Sequence, residues 1–160
     1  MKKRLFLTLI VLFIAATAAF AAKGEGLAIG AEVSSTNFNS WGGMLNLHIP
    51  GVPLHFAIGG YAGNGYSGFD LKVDYWLLHG NFTSGFDWYV GLGGYFASQL
   101  QPNSNFSLGA RLPLALQLWP AGELIEIFFE IAPAWIPISN SGTAVGNFVV
   151  QPAIGFRIWF

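Results

Sequence analysis

The sequence has no cysteine and very few charged residues, and each absence narrows the class of protein. Without cysteine there is no disulfide framework and no lipidated amino-terminal cysteine. Charged residues make up only 9%, against 53% hydrophobic and 16% aromatic residues. A soluble β-sandwich is the alternative, but it normally carries more charge on its solvent faces. The composition therefore favours a chain whose outer surface does not face water.

Long hydrophobic runs are also absent after residue 21, so no segment approaches the ~18 apolar residues of a membrane helix. Residues 2–4 are basic, residues 5–14 form an apolar run, and Ala19-Phe20-Ala21 fits a small-residue cleavage site. This pattern predicts a cleaved signal peptide over residues 1–21 and a mature domain over 22–160. An uncleaved membrane helix over residues 5–22 is the alternative, although no stop-transfer flank follows it.

The mature chain has an excess of acidic residues. Cleavage after residue 21 leaves four basic and eight acidic residues, a net charge of −4. A protein that binds nucleic acid needs basic residues to neutralise phosphates. We therefore expect no nucleic-acid partner.

What the mature sequence does contain is alternation of apolar and polar or small residues, separated by Gly, Asn, Ser and Pro. This period of two predicts β-strands. There are eight such segments: Leu27–Ser35, Met44–Ile49, Leu54–Tyr61, Phe69–Leu78, Phe86–Ala97, Phe106–Trp119, Leu124–Ile136 and Phe148–Phe160. Between them lie predicted turns at Pro50–Pro53, His79–Gly85 and Pro120–Glu123, and predicted loops at 36–43, 62–68, 98–105 and 137–147.

Charged residues within these segments all fall on the polar face. A charge that faces hydrocarbon costs ~2–4 kcal/mol near the middle of a membrane, which explains such a bias if the other face contacts lipid. We expect these residues to form an ion-pair network, with Arg111 or Arg157 bound to Glu126 and Glu130. The predicted network consists of Glu32, Asp70, Lys72, Asp74, Asp87, Arg111, Glu126, Glu130 and Arg157.

The last segment ends in Gly155-Phe-Arg-Ile-Trp-Phe160, with Phe156, Ile158 and Phe160 on one apolar face. In this it resembles the closing strand of bacterial outer-membrane β-barrels. The whole mature chain is similar to small outer-membrane barrels of the OmpX, OmpA-transmembrane and OmpW types. Its segments 109–113, 126–133 and 155–160 resemble spirochaetal members of this group. The resemblance implies an all-β, eight-stranded antiparallel transmembrane β-barrel that is an integral, monomeric outer-membrane protein in contact with outer-membrane lipid. It also implies that Phe156, Ile158 and Phe160 are an assembly signal for the barrel-assembly machinery.

An even number of strands puts both termini on one side, the periplasmic side in this family. The three predicted turns then lie on that side and the four loops face outward. These loops contain no Lys, Arg, Asp or Glu.

The interior of an eight-stranded barrel is narrow enough for side chains to fill it. Trp76, Trp119 and Trp159 are predicted to face inward near the periplasmic ends of their strands, where they would form a plug. Above them many inward residues are Gly or Ala, which leaves room for a cavity unless Tyr89 and Phe128 fill it. Prolines within three consecutive strands predict bulges or irregular pairing at Pro113, Pro133 and Pro152.

No motif in the sequence predicts catalysis, a cofactor or a metal site. The glycine pattern at 63–68 leads into a strand rather than a helix, so it does not predict a nucleotide site. His48 and His55 are two histidines without a third ligand, for which hydrogen bonding in the lumen is the simpler role. The leading hypothesis is a structural or surface-interaction barrel that binds a host or surface ligand through its outer loops. The alternatives are a narrow OmpW-like channel for small or apolar solutes and, third, a lipid-modifying enzyme.

Overall fold

The computed structural model describes residues 26–63, 66–101, 104–140 and 146–160. These residues form nine strands: β1 Ala28–Thr36, β2 Ser40–His48, β3 Leu54–Gly63, β4 Tyr66–Thr83, β5 Phe86–Gln101, β6 Asn105–Arg111, β7 Leu114–Leu118, β8 Ile125–Ser139 and β9 Asn147–Trp159. Across the same ranges, no helix has the length and apolar character needed to cross a membrane. The predicted signal peptide, residues 1–21, lies outside the described residues.

The strands form a single sheet that closes on itself. Neighbours pair antiparallel, and β1 pairs with β9, so that Ala28 lies opposite Trp159. β6 and β7 follow one another between β5 and β8, and together they occupy one position in the ring. The predicted all-β, eight-stranded antiparallel barrel is therefore confirmed, with β6 and β7 as two halves of one predicted strand.

The stagger between strands sets the width of this barrel. On one side, Ala28 pairs directly with Trp159 of β9. Followed from Ala28 around the rest of the sheet, the paired residues reach β9 at Val149, which is ten residues before Trp159. The residues passed on the way are His48, His55, Asp74, Gly93, Arg111 and Ala134. With eight strands and this stagger, the interior is only wide enough for side chains. The inward-facing residues therefore decide whether any space remains.

The two faces of the sheet differ sharply in polarity. Charged residues of the strands lie on the inner face; seven are buried, and Asp70 and Asp87 are half-buried. The outer face is apolar, as in Leu45, Ile58 and Ile131, each more than half exposed. A soluble protein has the opposite arrangement, whereas a barrel surrounded by hydrocarbon has this one.

At the end away from the termini, the strands extend further than the predicted loops allow. The predicted loop 36–43 is wrong, because only Asn37–Asn39 separates β1 from β2. In the same way β4 begins at Tyr66 and β5 continues to Gln101. These strand ends carry Asn, Ser, Gln and Gly on both faces, so no apolar alternation marks them. Backbone hydrogen bonds hold the ladder there regardless of the side chains.

The predicted turn His79–Gly85 is also shorter in the structure. β4 runs to Thr83, which leaves only Ser84 and Gly85 before β5, and Gly85 has a φ of 81° that favours glycine. A register shift between Trp76 and Leu78 inserts an extra residue, so that Leu77 and Leu78 are both exposed. Continued alternation from Trp76 would turn Leu78 inward, but the bulge resets the alternation and Leu78 faces outward.

The three prolines disturb the sheet less than expected. Pro113 does interrupt the ladder between β6 and β7, yet Arg111, Pro113 and Ala115 all remain on the inner face. The expected irregularity in β8–β9 pairing is absent, since Pro133 pairs with Val150 and Pro152 with Ile131 in continuous register. A proline keeps its place in an antiparallel pair where its missing N–H faces the other neighbour. For Pro152 that neighbour is β1, whose pairing with β9 ends at Ala153.

We predict that Gly30→Ala lowers the free energy of unfolding by about 1–3 kcal/mol, the usual cost of overpacking. A Cβ on Gly30 would meet the carbonyl oxygen of Phe156 at the β1–β9 seam, and the Arg157 Cα lies 2.8 Å away. Gly43→Ala is the matched control, because a Cβ there meets nothing within 4 Å. Urea unfolding of the folded barrel in phospholipid vesicles measures both, and equal midpoints would contradict the prediction.

Candidate functional site in the barrel lumen

The lumen contains three clusters of charged side chains in its middle layer. The first is centred on Glu126, which is fully buried on β8. Arg157 lies opposite it on β9 and donates from Nη1 to Glu126 Oε1 at 2.6 Å. Gln117 Nε2 donates to the same oxygen at 2.8 Å, and Trp159 Nε1 donates to Oε2 at 2.8 Å. Donors from β7 and β9, the two strands that flank β8, thus satisfy one buried carboxylate.

The second cluster is centred on Arg111 of β6, whose guanidinium is fully buried. Its Nη2 forms an ion pair with Glu130 Oε1, and its Nε lies 3.3 Å from Asp74 Oδ1. Tyr89 donates its hydroxyl to Glu130 Oε2 at 2.6 Å. This cluster joins β4, β5, β6 and β8 across the interior.

The third cluster links β1, β2 and β4. Lys72 Nζ donates to Glu32 Oε1 at 2.6 Å, and Asn46 Nδ2 donates to Glu32 Oε2 at 3.1 Å. Of the predicted network, Asp70 and Asp87 lie on the inner face outside these three clusters, Asp70 toward the loop end and Asp87 toward the termini. The predicted partners Arg111, Arg157, Glu126 and Glu130 thus divide into two separate pairs.

A layer of rings lies below the charges, at the end that carries the termini. Four rings stack in succession, with centroid distances of 4.3 Å for His48–His55, 3.8 Å for His55–Trp76 and 4.4 Å for Trp76–Tyr89. Trp159 is fully buried beside His48 at 5.2 Å, and Trp119 adjoins Trp159 at 5.8 Å. The structure therefore brings Trp76, Trp119 and Trp159 together, with two histidines and a tyrosine among them.

Arg157 connects the charged layer to the ring layer. Its guanidinium carbon lies 3.9 Å from the centroid of the Phe128 ring and 5.8 Å from that of Trp76. A cation over an aromatic face is attracted by the ring electrons. Between the two layers, the cavity lined by Glu32, His55 and Arg157 among others has a volume of only about 10 Å³. Such a space holds about one water molecule.

The upper lumen is occupied by large side chains that lie over the inward glycines. The Tyr95 ring lies on Gly109, and Phe128 Cζ lies 2.6 Å from where a Cβ of Gly155 would be. Tyr95 also packs with Ala134, Ile136 and Val149. Small inward residues therefore make room for their neighbours, and they do not by themselves leave a cavity.

Several solved structures are similar to this barrel, among them two outer-membrane proteins. The N-terminal β-barrel domain of Pseudomonas aeruginosa OprF aligns with 86% of this chain and 100% of its own, at 13% identity and a TM-score of 0.54. Neisserial surface protein A aligns with 84% of this chain and 95% of its own, at 17% identity and a TM-score of 0.52. The fold is that of the small outer-membrane β-barrels. No protein-family model matches the sequence, and no curated protein is similar to it in sequence.

The described residues include no cluster of three or more His, Cys, Asp or Glu side chains that could hold a metal ion. His48 and His55 are near each other, but their rings stack face to face and do not converge on one point. His48 Nδ1 lies 3.2 Å from the Leu54 carbonyl oxygen. Both histidines thus belong to the ring layer.

Sequence reasoning missed several residues that complete the lumen clusters. Asn46 and Gln117 are uncharged, so a prediction based on charge does not include them, although both alternate onto the polar face. Tyr89 was expected only to fill space, yet it is also a hydrogen-bond donor to Glu130. The sequence feature that identifies such residues is a hydrogen-bond donor on an inward-facing side chain, whether or not that side chain is charged.

We predict that Arg157→Met lowers the free energy of unfolding by about 3–5 kcal/mol, because it leaves Glu126 buried without its cation. Adding Glu126→Gln should recover part of this loss, since the amide keeps an acceptor for Trp159 without a buried charge. Glu123→Gln, in the exposed turn before β8, is the control and should leave stability unchanged. Urea unfolding in phospholipid vesicles measures all three. A double variant less stable than Arg157→Met would count against this explanation.

Proposed function

We propose that this chain is an integral outer-membrane barrel with a closed lumen and a structural or surface-interaction role. The supporting observation is that, among the described residues, a charged layer lies above a stacked ring layer and the cavity between them is only about 10 Å³. In this proposal, residues 1–21 direct export and the mature chain from residue 22 forms a monomeric barrel in outer-membrane lipid. A filled interior provides rigidity, and interactions then take place on the outer surfaces.

We further propose that the apolar face of Phe156, Ile158 and Phe160 is the signal read by the barrel-assembly machinery. In support, Phe160 N donates to the Leu27 carbonyl at 2.8 Å, and Leu27 N donates to the Phe160 carbonyl at 3.1 Å. The segment thus lies at the seam where β1 and β9 close the ring. Docking of this strand is the step that removes the last free sheet edges.

The outer end offers aromatic and amide groups for contacts with a surface ligand. Phe148 is 78% exposed, and Trp41, Asn37 and Asn39 are exposed at the same end. The loop sequences carry no charged residue. We propose that these groups bind a host or surface partner through hydrogen bonds and aromatic contacts.

A narrow channel for small or apolar solutes is the competing hypothesis, and lipid-modifying catalysis is the third. Against catalysis, His48 and His55 are buried in the ring layer, and His79 and Ser84 are exposed on the β4–β5 hairpin. We propose that none of them acts as a nucleophile or a general base, and that the protein requires no cofactor.

For the closed lumen, we predict small or absent conductance of the wild-type barrel in planar lipid bilayers. The combined substitution Trp76→Ala, Trp119→Ala and Trp159→Ala should raise the conductance, because it removes half of the rings below the charged layer. Trp88→Ala, on the outward face, is the control and should have no effect. Steady wild-type conductance that the triple substitution fails to increase would favour the channel hypothesis.

For the outer end, we predict no saturable binding of lipopolysaccharide to the folded barrel, because a rim without cations cannot pair with the lipid's phosphates. Such an uncharged rim suits an outer leaflet poor in lipopolysaccharide. Surface plasmon resonance at low and high ionic strength measures the binding, and any weak signal should change little with salt. Asn39→Lys combined with Asn140→Lys is the matched comparison and should introduce salt-sensitive binding. Tight, salt-sensitive binding by the wild type would contradict the proposal.

A further inference from the structure

A concave apolar surface lies on the outward wall of β5, β7, β8 and β9. It encloses about 560 Å³, which is within the usual range of small-molecule sites. Its side walls are two rows of outward side chains that cross the strands. The first row is Trp88, Leu116 and Phe129, and the second is Val90, Leu114, Ile131 and Pro152.

The strand register explains the shape of this groove. Between the two rows lies a row of residues whose side chains point into the lumen, so that only their backbone faces outward: Tyr89, Ala115, Glu130 and Ala153. The floor is therefore backbone, and the walls are side chains of adjacent rows. Four neighbouring strands at ~4.8 Å spacing give a trough of roughly 14 Å. A long, narrow, mainly apolar trough fits an extended hydrocarbon chain.

Phe38 lines the same cavity at its β9 end. It belongs to the β1–β2 turn, where Asn37 and Phe38 have φ values of 51° and 60°, an unfavourable conformation for a bulky residue. Asn37 holds the turn against β9, because its N–H donates to the Val150 carbonyl and its Oδ1 accepts from the Val150 N–H, both at 2.8 Å. Yet Phe38 is 61% exposed, so packing within the chain does not account for its position. An occupant of the groove would supply the missing contact.

The other end of the groove lies near the rim that carries the termini. Trp88 is the third residue of β5, just after the Ser84–Gly85 turn, and its indole ring lies over Gly80. A tryptophan at such a place suits the boundary between hydrocarbon and headgroups. Glu130 contributes only to the floor, because its carboxylate is bound inside by Arg111 and Tyr89.

We propose that this groove holds one acyl chain of a zwitterionic phospholipid, with its headgroup at Trp88 and its chain running toward Phe38. The groove is continuous with the apolar band that the proposed membrane position turns toward lipid. No described strand residue presents a charge outward, which disfavours an anionic headgroup. The site is separate from the lumen and does not depend on whether the lumen conducts.

The test uses the mature chain folded into nanodiscs of dioleoylphosphatidylcholine that contain a small fraction of phosphatidylcholine with a mid-chain diazirine. After irradiation, peptide mass spectrometry maps the labelled residues. We expect several-fold more labelling at Leu114, Leu116 and Ile131 than at Leu45 and Ile58 on the opposite wall, which are at least as exposed. Even labelling around the barrel would overturn the proposal.

Two variants sharpen this result, with folding checked by the change in gel migration on boiling. Leu116→Trp fills the trough and should abolish the enrichment, whereas Leu45→Trp on the opposite wall should leave it unchanged. Phe38→Gly relieves the positive φ, so the barrel should be no less stable while the enrichment falls. Enrichment that survives both groove variants would overturn the assignment. So would a groove that stays unlabelled while the β5–β9 faces of two barrels cross-link, since that result identifies a second copy as the occupant.

Discussion

Closure of the sheet between β1 and β9 is the constraint on which the rest of this structure depends. A strand edge surrounded by lipid would leave backbone groups without hydrogen-bond partners, and each costs several kcal/mol. Pairing Ala28 with Trp159, and Leu27 with Phe160, removes that edge. Closure over eight positions also makes the interior narrow. Everything that the inner faces carry must therefore fit and be paired within that space.

The charged residues in this narrow space help to fix the register between the strands. Glu126 and Arg157 face each other because β8 and β9 pair in one register. If either strand slipped by one residue, its charged side chain would turn toward the apolar surroundings and the pair would be lost. The other clusters add links between strands that do not pair with each other in the sheet. Lys72 and Glu32 tie β4 to β1 across the lumen, and Arg111 ties β6 to Asp74 on β4. Buried pairs of this kind often contribute little net stability relative to an apolar core. We expect that here they act mainly by disfavouring alternative strand pairings.

If the lumen is closed as proposed, the function of this protein resides on the outer surfaces of the barrel. The outer rim has exposed aromatic and amide groups, and the wall has an apolar trough bounded by a strained Phe38. These two surfaces lie next to each other, because the β1–β2 turn that carries Phe38 also belongs to the outer rim. A ligand at the rim and a lipid on the wall would thus contact the same turn.

The sequence by itself determined the fold class, the number of strand positions and the face of nearly every strand residue, because a period of two in polarity is a local property of the chain. Glu126, Arg157 and Trp159 could be placed in the lumen on that basis alone. Their partners could not, since pairing requires the register between strands far apart in sequence, as in the bond from Lys72 to Glu32. The strand ends carry polar residues on both faces and show no alternation, so their length could not be predicted. The bulge after Trp76 reversed the side of the sheet that alternation gives Leu78. Only the tertiary structure stacked His48 and His55 on Trp76 and brought Phe38 to the wall beside Pro152, because closing the barrel sets both distances.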